Sequence, residues 1–329
     1  MTRRSIIASS LCLAAFAVPA AAADLPAGQP FGPDLEGAVL IDPDPAVREP
    51  VIVLLGGSEG GDRGARSLAP GFLDAGYAVV IYPYYDPLPW DGSVTEQAYP
   101  SLSKSFHDIP VDRLQMVLDR LPAMEGVDGE RVGLYGVSKG AEFVLLAGQY
   151  LTGFDAIGAI VPTDVVWEGW GANLAPGEPS SFSYRGEPLA FVPYDGLMEE
   201  FAAAQAEGRA PILRKPQDRG REKHMDRVPA ARIHVEDIAV PLLVAGGDED
   251  TVWASGEMAQ AIAERRLEAG RETEAYIFPD AGHGLSGPPR PDADADDPNQ
   301  AARRTLWPAT LAFFAKYLSD ETAESAAAR

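Results

Sequence analysis

A Gly-x-Ser-x-Gly motif at residues 136–140, centred on Ser138, limits this chain to few folds. The motif follows an apolar run at residues 132–135 and precedes an apolar stretch of helical character at residues 141–146. A strand, a sharp turn and a helix in that order project a serine hydroxyl beyond the edge of a sheet. The motif therefore predicts Ser138 as a nucleophile. The alternative is a serine that only caps a buried helix.

A second match to the same motif lies at residues 56–60, centred on Ser58. It also follows an apolar run, but it leads into a glycine-rich loop at residues 60–64 instead of a helix. A loop at such a position can donate one backbone N–H to an oxyanion, and the residue after the nucleophile can donate another. We therefore interpret Ser138 as the nucleophile and the N–H groups of Ser58 and Lys139 as an oxyanion hole.

Strand-like apolar runs alternate with helical patterns through the first half of the chain. The runs lie at residues 51–55, 77–82, 132–135 and 156–161. This alternation predicts a mostly parallel central sheet flanked by helices, and the strand-turn-helix at Ser138 makes it an α/β-hydrolase fold. We expect one catalytic domain at residues 50–320, a surface lead-in at 24–49 and a flexible tail at 321–329.

The regular alternation stops between residues 163 and 235, which we predict as a lid-like insertion over the site. A cluster of basic residues between Arg209 and Arg227 lies within this insertion. Basic runs of this kind are usually solvated loops, and whether this one contacts substrate stays open.

The N-terminus resembles an export signal. Arg3 and Arg4 precede an apolar run at residues 6–18, and small residues then offer a cleavage site near Ala23. The run is too short for a convincing membrane span. We expect a signal peptide at residues 1–23 and a secreted or periplasmic protein, exported by either the Sec or the twin-arginine route.

Composition excludes several classes of function. The only cysteine, Cys12, lies in the predicted signal peptide, so disulfides, thiol catalysis and cysteine metal sites are not expected. The formal net charge of −22 argues against nucleic acid and anionic membranes as partners. Acidic residues 292, 294 and 296 have the spacing of a calcium loop, but the glycine and glutamate that such a loop needs are missing. We expect no metal and no cofactor.

A nucleophilic serine needs a base, and the base needs an orienting carboxylate, in the chain order serine, acid, histidine. His283 fits as the base because it follows a predicted core strand in a glycine-flanked turn. Asp248, Glu249 and Asp250 all follow another strand and compete for the role of the acid, with Asp164 as a weaker candidate.

Several of these segments resemble one family, the acyl-CoA thioester hydrolases and bile-acid acyltransferases (BAAT), a branch of the α/β-hydrolases near the dienelactone hydrolases. The similar segments are residues 55–61, 136–142, 247–253 and 281–283, and segments 180–186 and 191–194 resemble bacterial members. The resemblance implies Ser138, Asp250 and His283 as the catalytic triad. We also predict Glu59, Trp167 and Trp253 as substrate-binding residues.

Two departures from the family pattern bear on activity. Residues 24–49 leave no room for the N-terminal β-sandwich domain of the eukaryotic members, and the nucleophile is serine where the transferases use cysteine. We therefore expect a serine hydrolase that cleaves a small carboxylic ester or thioester through an acyl-enzyme. The alternatives are an acyl-CoA thioesterase or acyltransferase proper, or a catalytically silent binding protein of the same fold; the oligomeric state stays open.

Overall fold

The computed structural model describes residues 25–44, 46–88, 96–171, 177 and 179–319. The predicted signal peptide and the predicted tail lie outside the described residues. The strands are β1 (Gln29–Pro30), β2 (Val39–Ile41), β3 (Glu49–Leu55), β4 (Ala78–Ile81), β5 (Ile109–Pro110), β6 (Val127–Val137), β7 (Ala156–Ile160), β8 (Phe182–Tyr184), β9 (Glu187–Pro188), β10 (Leu242–Gly247) and β11 (Thr273–Phe278). The α-helices are α1 (Arg63–Leu73), α2 (Gln115–Leu118), α3 (Lys139–Tyr150), α4 (Leu197–Glu207), α5 (Arg214–Lys223), α6 (Val228–Ala231), α7 (Ser255–Glu268) and α8 (Pro298–Tyr317).

The central sheet is mostly parallel, as the alternation of strands and helices predicts. Its strand order is β1-β2-β4-β3-β6-β7-β10-β11. The strands from β4 to β11 pair in parallel, whereas β1 and β2 are antiparallel. In a parallel sheet the carboxyl ends of the strands meet at one edge, and residues that follow the strands can therefore come together there.

The sheet is buried on both faces because its central strands are apolar at successive positions. In β3, Val51, Val53 and Leu55 pack on one face, with side chains of α3 and α7. Ile52 and Leu54 pack on the other face, with α1 and α8. Successive side chains of a strand point to opposite faces, and a run without polar positions therefore needs helices on both sides.

The segment at residues 24–49, predicted as a surface lead-in, contributes two strands to the edge of the central sheet. Strands β1 and β2 form one edge of the central sheet, and β2 pairs with β4 through Leu40 opposite Val80. Leu35, Leu40 and Ile41 are buried. The segment is short and rich in proline, but its apolar residues extend the hydrophobic core at the sheet edge, and burial of that surface holds the segment in place.

The insertion between β7 and β10 contains β8, β9 and helices α4 to α6. β8 pairs with β5 and β9 in a separate three-stranded sheet. The expectation of a solvated loop for the basic cluster is wrong for residues 214–223, which form α5. Arg214 stabilises this helix through an ion pair with Asp218, one turn further on. Among the described residues, no helix is both long enough and apolar enough to cross a membrane.

Candidate active site

Ser138 lies at the turn between β6 and α3 with a left-handed φ of 58°. Its N–H donates to the Ile160 carbonyl at 2.9 Å, at the end of the neighbouring strand β7. Glycine is required on both sides of the serine. A Cβ on Gly136 would lie 2.1 Å from the Gly140 carbonyl oxygen, and a Cβ on Gly140 would lie 2.3 Å from the Gly56 carbonyl oxygen. The Gly-x-Ser-x-Gly spacing is thus a condition for the close approach of strand, turn and helix.

The three side chains predicted as a triad form a continuous chain of hydrogen bonds. His283 Nε2 lies 2.9 Å from Ser138 Oγ, and His283 Nδ1 lies 2.7 Å from Asp250 Oδ2. The histidine side chain is 14% exposed, and the aspartate side chain is 0% exposed. Asp250 Oδ1 accepts the N–H groups of Val252 and Trp253 at 2.8 and 3.3 Å. These two N–H groups fix the plane of the carboxylate and hold its other oxygen toward the histidine.

The structure does not bring the competing carboxylates to the histidine. Asp248 and Glu249 are exposed. Asp164 forms a two-pronged ion pair with Arg221, with both N–O distances at 2.7 Å. This pairing occupies both oxygens of Asp164, so the geometry favours Asp250 as the orienting carboxylate.

The loops that carry Asp250 and His283 are held to each other. Glu249 N–H donates to the Ala281 carbonyl at 3.1 Å, two residues before the histidine. The side chain of Asn299, in the first turn of α8, accepts the Gly282 N–H at 2.8 Å. Asn299 was not predicted as a site residue, because nothing in its sequence context points to the histidine loop.

The two N–H groups predicted as an oxyanion hole are free to donate. In the described part of the chain, neither Ser58 nor Lys139 has a hydrogen-bond partner for its backbone N–H. Lys139 is the first residue of α3, and the first N–H groups of a helix have no partner within it. The partial positive charge of the helix N-terminus adds to the attraction for an anion beside Ser138.

Two tyrosines after β4 hold the Ser58 loop. The Tyr84 hydroxyl lies 2.9 Å from the carbonyl oxygens of Gly56 and Gly57, and the Tyr85 hydroxyl donates to the Ser58 carbonyl. Because the N–H and C=O of a trans peptide point in opposite directions, the Gly57 contact turns the Ser58 N–H away from Tyr84. Neither tyrosine was predicted as a site residue, although their position after a core strand was a usable signal.

Glu59, a predicted substrate-binding residue, folds back on its own loop. Its Oε1 accepts the Gly57 N–H at 2.9 Å. The side chain fills the space that the absent side chains of Gly56 and Gly64 leave. Burial raises the pKa of Glu59 above its ordinary value, although the Gly57 N–H and the nearby charge of Arg63 oppose this effect. Contact of Glu59 with substrate stays a prediction.

The two tryptophans predicted to bind substrate are both buried. Trp167 stacks on Tyr194 at a ring distance of 5.6 Å. Trp253 presents its ring at 87° to the imidazole of His283, with a centroid distance of 4.9 Å, and its indole N–H donates to the Val161 carbonyl at 3.1 Å. Val161 has a left-handed φ of 48°, which is unusual for a β-branched residue. A role of either tryptophan in substrate binding stays a prediction.

Comparison with known proteins supports the resemblance. The family model "BAAT / Acyl-CoA thioester hydrolase C terminal" matches residues 109–299. The chain belongs to this family. It is 25% identical over 258 residues to human mitochondrial acyl-coenzyme A thioesterase 2. This match covers 77% of this chain and 46% of that protein. The match to human acyl-coenzyme A thioesterase 1 covers 53% of that protein, so the chain spans about half the length of the curated relatives it matches.

Solved structures identify the fold as that of the α/β-hydrolases. A putative dienelactone hydrolase from Klebsiella pneumoniae superimposes with a TM-score of 0.51 at 15% identity, over 85% of this chain and 92% of that one. MGS-M1, an α/β-hydrolase from a Medee basin deep-sea metagenome library, superimposes with a TM-score of 0.50 at 15% identity, over 86% of this chain and 93% of that one. At such identity the similarity establishes the architecture alone. The predicted fold class is therefore confirmed.

Proposed function

We propose that the protein is a serine hydrolase that cleaves a carboxylic ester or an acyl thioester through an acyl-enzyme intermediate. The observation that carries the proposal is the hydrogen-bonded chain from Asp250 through His283 to Ser138. Membership of a family that contains thioester hydrolases supports the same class of reaction.

The geometry supports a reaction in two halves. Ser138 Oγ forms a bond to the acyl carbon while its proton passes to His283 Nε2, and Asp250 stabilises the resulting imidazolium. The carbonyl oxygen becomes an oxyanion between the N–H groups of Ser58 and Lys139. When the bond to the leaving oxygen or sulfur breaks, His283 returns the proton to the leaving group. Water then attacks the acyl-enzyme by the same path, with His283 as the base, and releases the acid and Ser138.

Two serine variants and a fluorophosphonate probe test this proposal. The probe should label the wild type on Ser138, because only an activated serine attacks phosphorus, and labelling should disappear in Ser138→Ala. Turnover of p-nitrophenyl esters should fall by roughly 10⁴- to 10⁶-fold in Ser138→Ala. Ser58→Ala is the matched control, because it removes a side chain and keeps the backbone N–H. An unlabelled wild type would support the silent binding protein instead, and loss of turnover in Ser58→Ala alone would reverse the assignment of the two motifs.

We further propose that a neutral ester is preferred to acyl-CoA. Coenzyme A carries several negative charges, and a chain with a net charge of −22 repels such a substrate at long range. Most cations of the basic cluster contact acidic side chains: Arg209 contacts Glu200 and Glu207, Arg214 contacts Asp218 and Glu257, Arg221 contacts Asp164, and Lys223 contacts Asp195. Their charge is thus compensated locally. The predicted export signal also separates the protein from intracellular acyl-CoA.

The similarity to human acyl-coenzyme A thioesterases favours the other candidate, an acyl-CoA thioesterase. Helix α5 begins next to the loop of Asp250, because the Arg214 N–H donates to the Thr251 carbonyl at 2.9 Å. Exposed cations of α5 therefore lie near the site. The variant Lys215→Gln/Arg219→Gln removes two exposed charges without disturbing the Asp164–Arg221 pair. For a neutral ester we expect kcat/KM to change by less than about twofold in this variant and to depend little on salt. The thioesterase would be established by three results together. The kcat/KM for acyl-CoA would exceed that for esters, it would fall steeply as salt is added, and it would fall steeply in the variant.

A further inference from the structure

A buried ion pair lies in the first turn of α3, directly after the proposed nucleophile. Lys139 Nζ lies 2.7 Å from Glu142 Oε2, and the two side chains are 1% and 0% exposed. The proposed reaction does not use either charged group. Lys139 nevertheless supplies, through its backbone N–H, one of the two proposed oxyanion donors.

The ammonium group of Lys139 is enclosed by aromatic rings. It lies 5.3 Å from the ring centre of Phe106, 5.4 Å from that of Trp170 and 5.8 Å from that of Phe182. Phe106 and Trp170 are stacked with a centroid distance of 4.3 Å. Because Phe106 and Trp170 stack on each other, the ammonium group can lie over the face of at most one of these two rings; the face of an aromatic ring attracts a desolvated cation. The surrounding rings offset part of the desolvation free energy of the buried charge, and they restrict the position of the lysine side chain.

The remaining contacts of the pair run into the insertion. Lys139 Nζ donates to Ser181 Oγ at 3.1 Å, and that hydroxyl donates to the Glu168 carbonyl at 3.0 Å. Glu142 Oε1 accepts the Trp167 N–H at 3.3 Å. Two segments of the insertion, near residues 167–170 and 180–182, therefore meet at this one pair on the first turn of α3.

Stability does not account for an ion pair at this place. Desolvation of two charges commonly costs as much as their attraction returns, and apolar residues of similar volume often replace such a pair without loss of stability. An apolar pair forms no directional hydrogen bonds, however, and so it cannot fix the orientation of one segment relative to another. Hydrogen bonds from Lys139 and Glu142 fix the rotation of the first turn of α3 relative to the insertion, and the Lys139 N–H belongs to that turn.

We propose that Lys139 and Glu142 are positioning residues that couple the conformation of the insertion to the oxyanion hole. When the insertion is packed on the pair, the Lys139 N–H is aimed at the position of the oxyanion. The inference rests on the proposed hydrolase function. It assigns to the side chain of Lys139 a role separate from that of its backbone N–H.

The double variant Lys139→Met/Glu142→Leu tests the inference, because it leaves no buried charge without a partner. We expect a lower unfolding temperature, because the buried Trp167 N–H loses its acceptor, together with a kcat lowered by about 10- to 100-fold and a KM changed by less than about threefold. Binding of a trifluoromethyl ketone, which forms an oxyanion on the serine, should weaken by the same factor as kcat/KM. Asp164→Asn/Arg221→Met is the matched control: it removes another ion pair of the insertion, and its kcat should stay within about threefold of the wild type.

The outcomes separate this inference from the proposed function. If the wild type is labelled and active, and the double variant has the same kcat and the same inhibitor affinity as the wild type, the coupling alone is overturned. An equal loss of kcat in the control would show a general effect of loosening the insertion, and it would also overturn the specific role of the pair. A wild type that neither labels nor turns over esters or thioesters overturns the proposed function itself. If the double variant does not fold, Ser181→Ala carries the test, since it removes the contact of Lys139 with the insertion and keeps the ion pair: a lowered kcat at unchanged KM supports the coupling, and an unchanged kcat overturns it.

Discussion

Replacing Asp250 by asparagine changes one atom of the proposed triad and leaves its shape intact. The carboxylate uses Oδ1 to accept two backbone N–H groups and Oδ2 to face His283 Nδ1 at 2.7 Å. In Asp250→Asn the amide oxygen must stay on the side of the two N–H donors, because an NH₂ group there would leave both of them buried and unsatisfied. The NH₂ group then faces Nδ1 and donates to it.

A donor at Nδ1 selects the wrong tautomer of His283. The ring proton moves to Nε2, which then faces Ser138 Oγ as a donor and cannot accept the proton of the serine. The expected loss in kcat is about 10⁴-fold, equivalent to about 5.5 kcal/mol of transition-state stabilisation. Because the two backbone hydrogen bonds and the volume are kept, we expect thermal unfolding to change little.

Hydrolysis of p-nitrophenyl butyrate and the rate of fluorophosphonate labelling measure this effect. Asp248→Asn is the control, because that side chain lies in the same loop and is exposed. The control should retain kcat within about twofold. A near-normal kcat in Asp250→Asn, together with a large loss in Asp248→Asn or Asp164→Asn, would refute the assignment of the acid and the argument from tautomers.

Two further predictions concern the supports of the site. Because burial raises the pKa of Glu59, the folded chain binds more protons than the unfolded chain between the ordinary and the raised pKa, and stability falls as pH rises through that window. Glu59→Gln keeps an acceptor for Gly57 N–H and removes the titration. We therefore expect the variant to gain stability relative to wild type between pH 4 and pH 7 in urea unfolding, and an equal difference at both pH values would contradict this reasoning. Trp253→Phe should keep a ring against His283 but leave the Val161 carbonyl without its donor. We expect the free energy of unfolding to fall by about 1–3 kcal/mol, measured with urea, and an unchanged value would show that this hydrogen bond contributes nothing.

The sequence alone predicted the parts of the fold that depend on local pattern. Uninterrupted apolar runs such as that of β3 predicted strands covered on both faces, and Gly136 and Gly140 predicted a tight turn at Ser138. These signals are readable because a few adjacent residues determine each of them. The apolar run at residues 37–41 indicated a short strand where β2 lies, but β1 was not readable in this way, because its two residues acquire strand structure only from pairing with β2.

The hydrogen bonds that hold the site in place could not be predicted from local sequence patterns either. The hydrogen bond between Asn299 and Gly282 joins residues 17 positions apart in the sequence. The hydrogen bond from the Trp253 indole to Val161 joins residues 92 positions apart. The choice among Asp248, Glu249 and Asp250 was open on the residues themselves, since all three follow β10. Burial separates them, and burial is a property of how the β10 and β11 loops pack on each other, not of any single segment.

The order of the strands explains how the parts of the site are distributed. β6, which ends at Val137 directly before Ser138, lies between β3 and β7. The neighbour on one side, β3, leads into the Ser58 loop, which contains one of the two proposed oxyanion donors. On the other side, Ile160 at the end of β7 accepts the Ser138 N–H, and the next residue, Val161, accepts the Trp253 indole N–H. The following strands β10 and β11 lead into the loops of the proposed acid and the proposed base. Residues 160 and 161, at the end of β7, thus contact both the proposed nucleophile and the tryptophan that lies against the histidine. This double contact gives a physical reason for the left-handed backbone of Val161, because its carbonyl must point to Trp253 while the carbonyl of Ile160 points to Ser138.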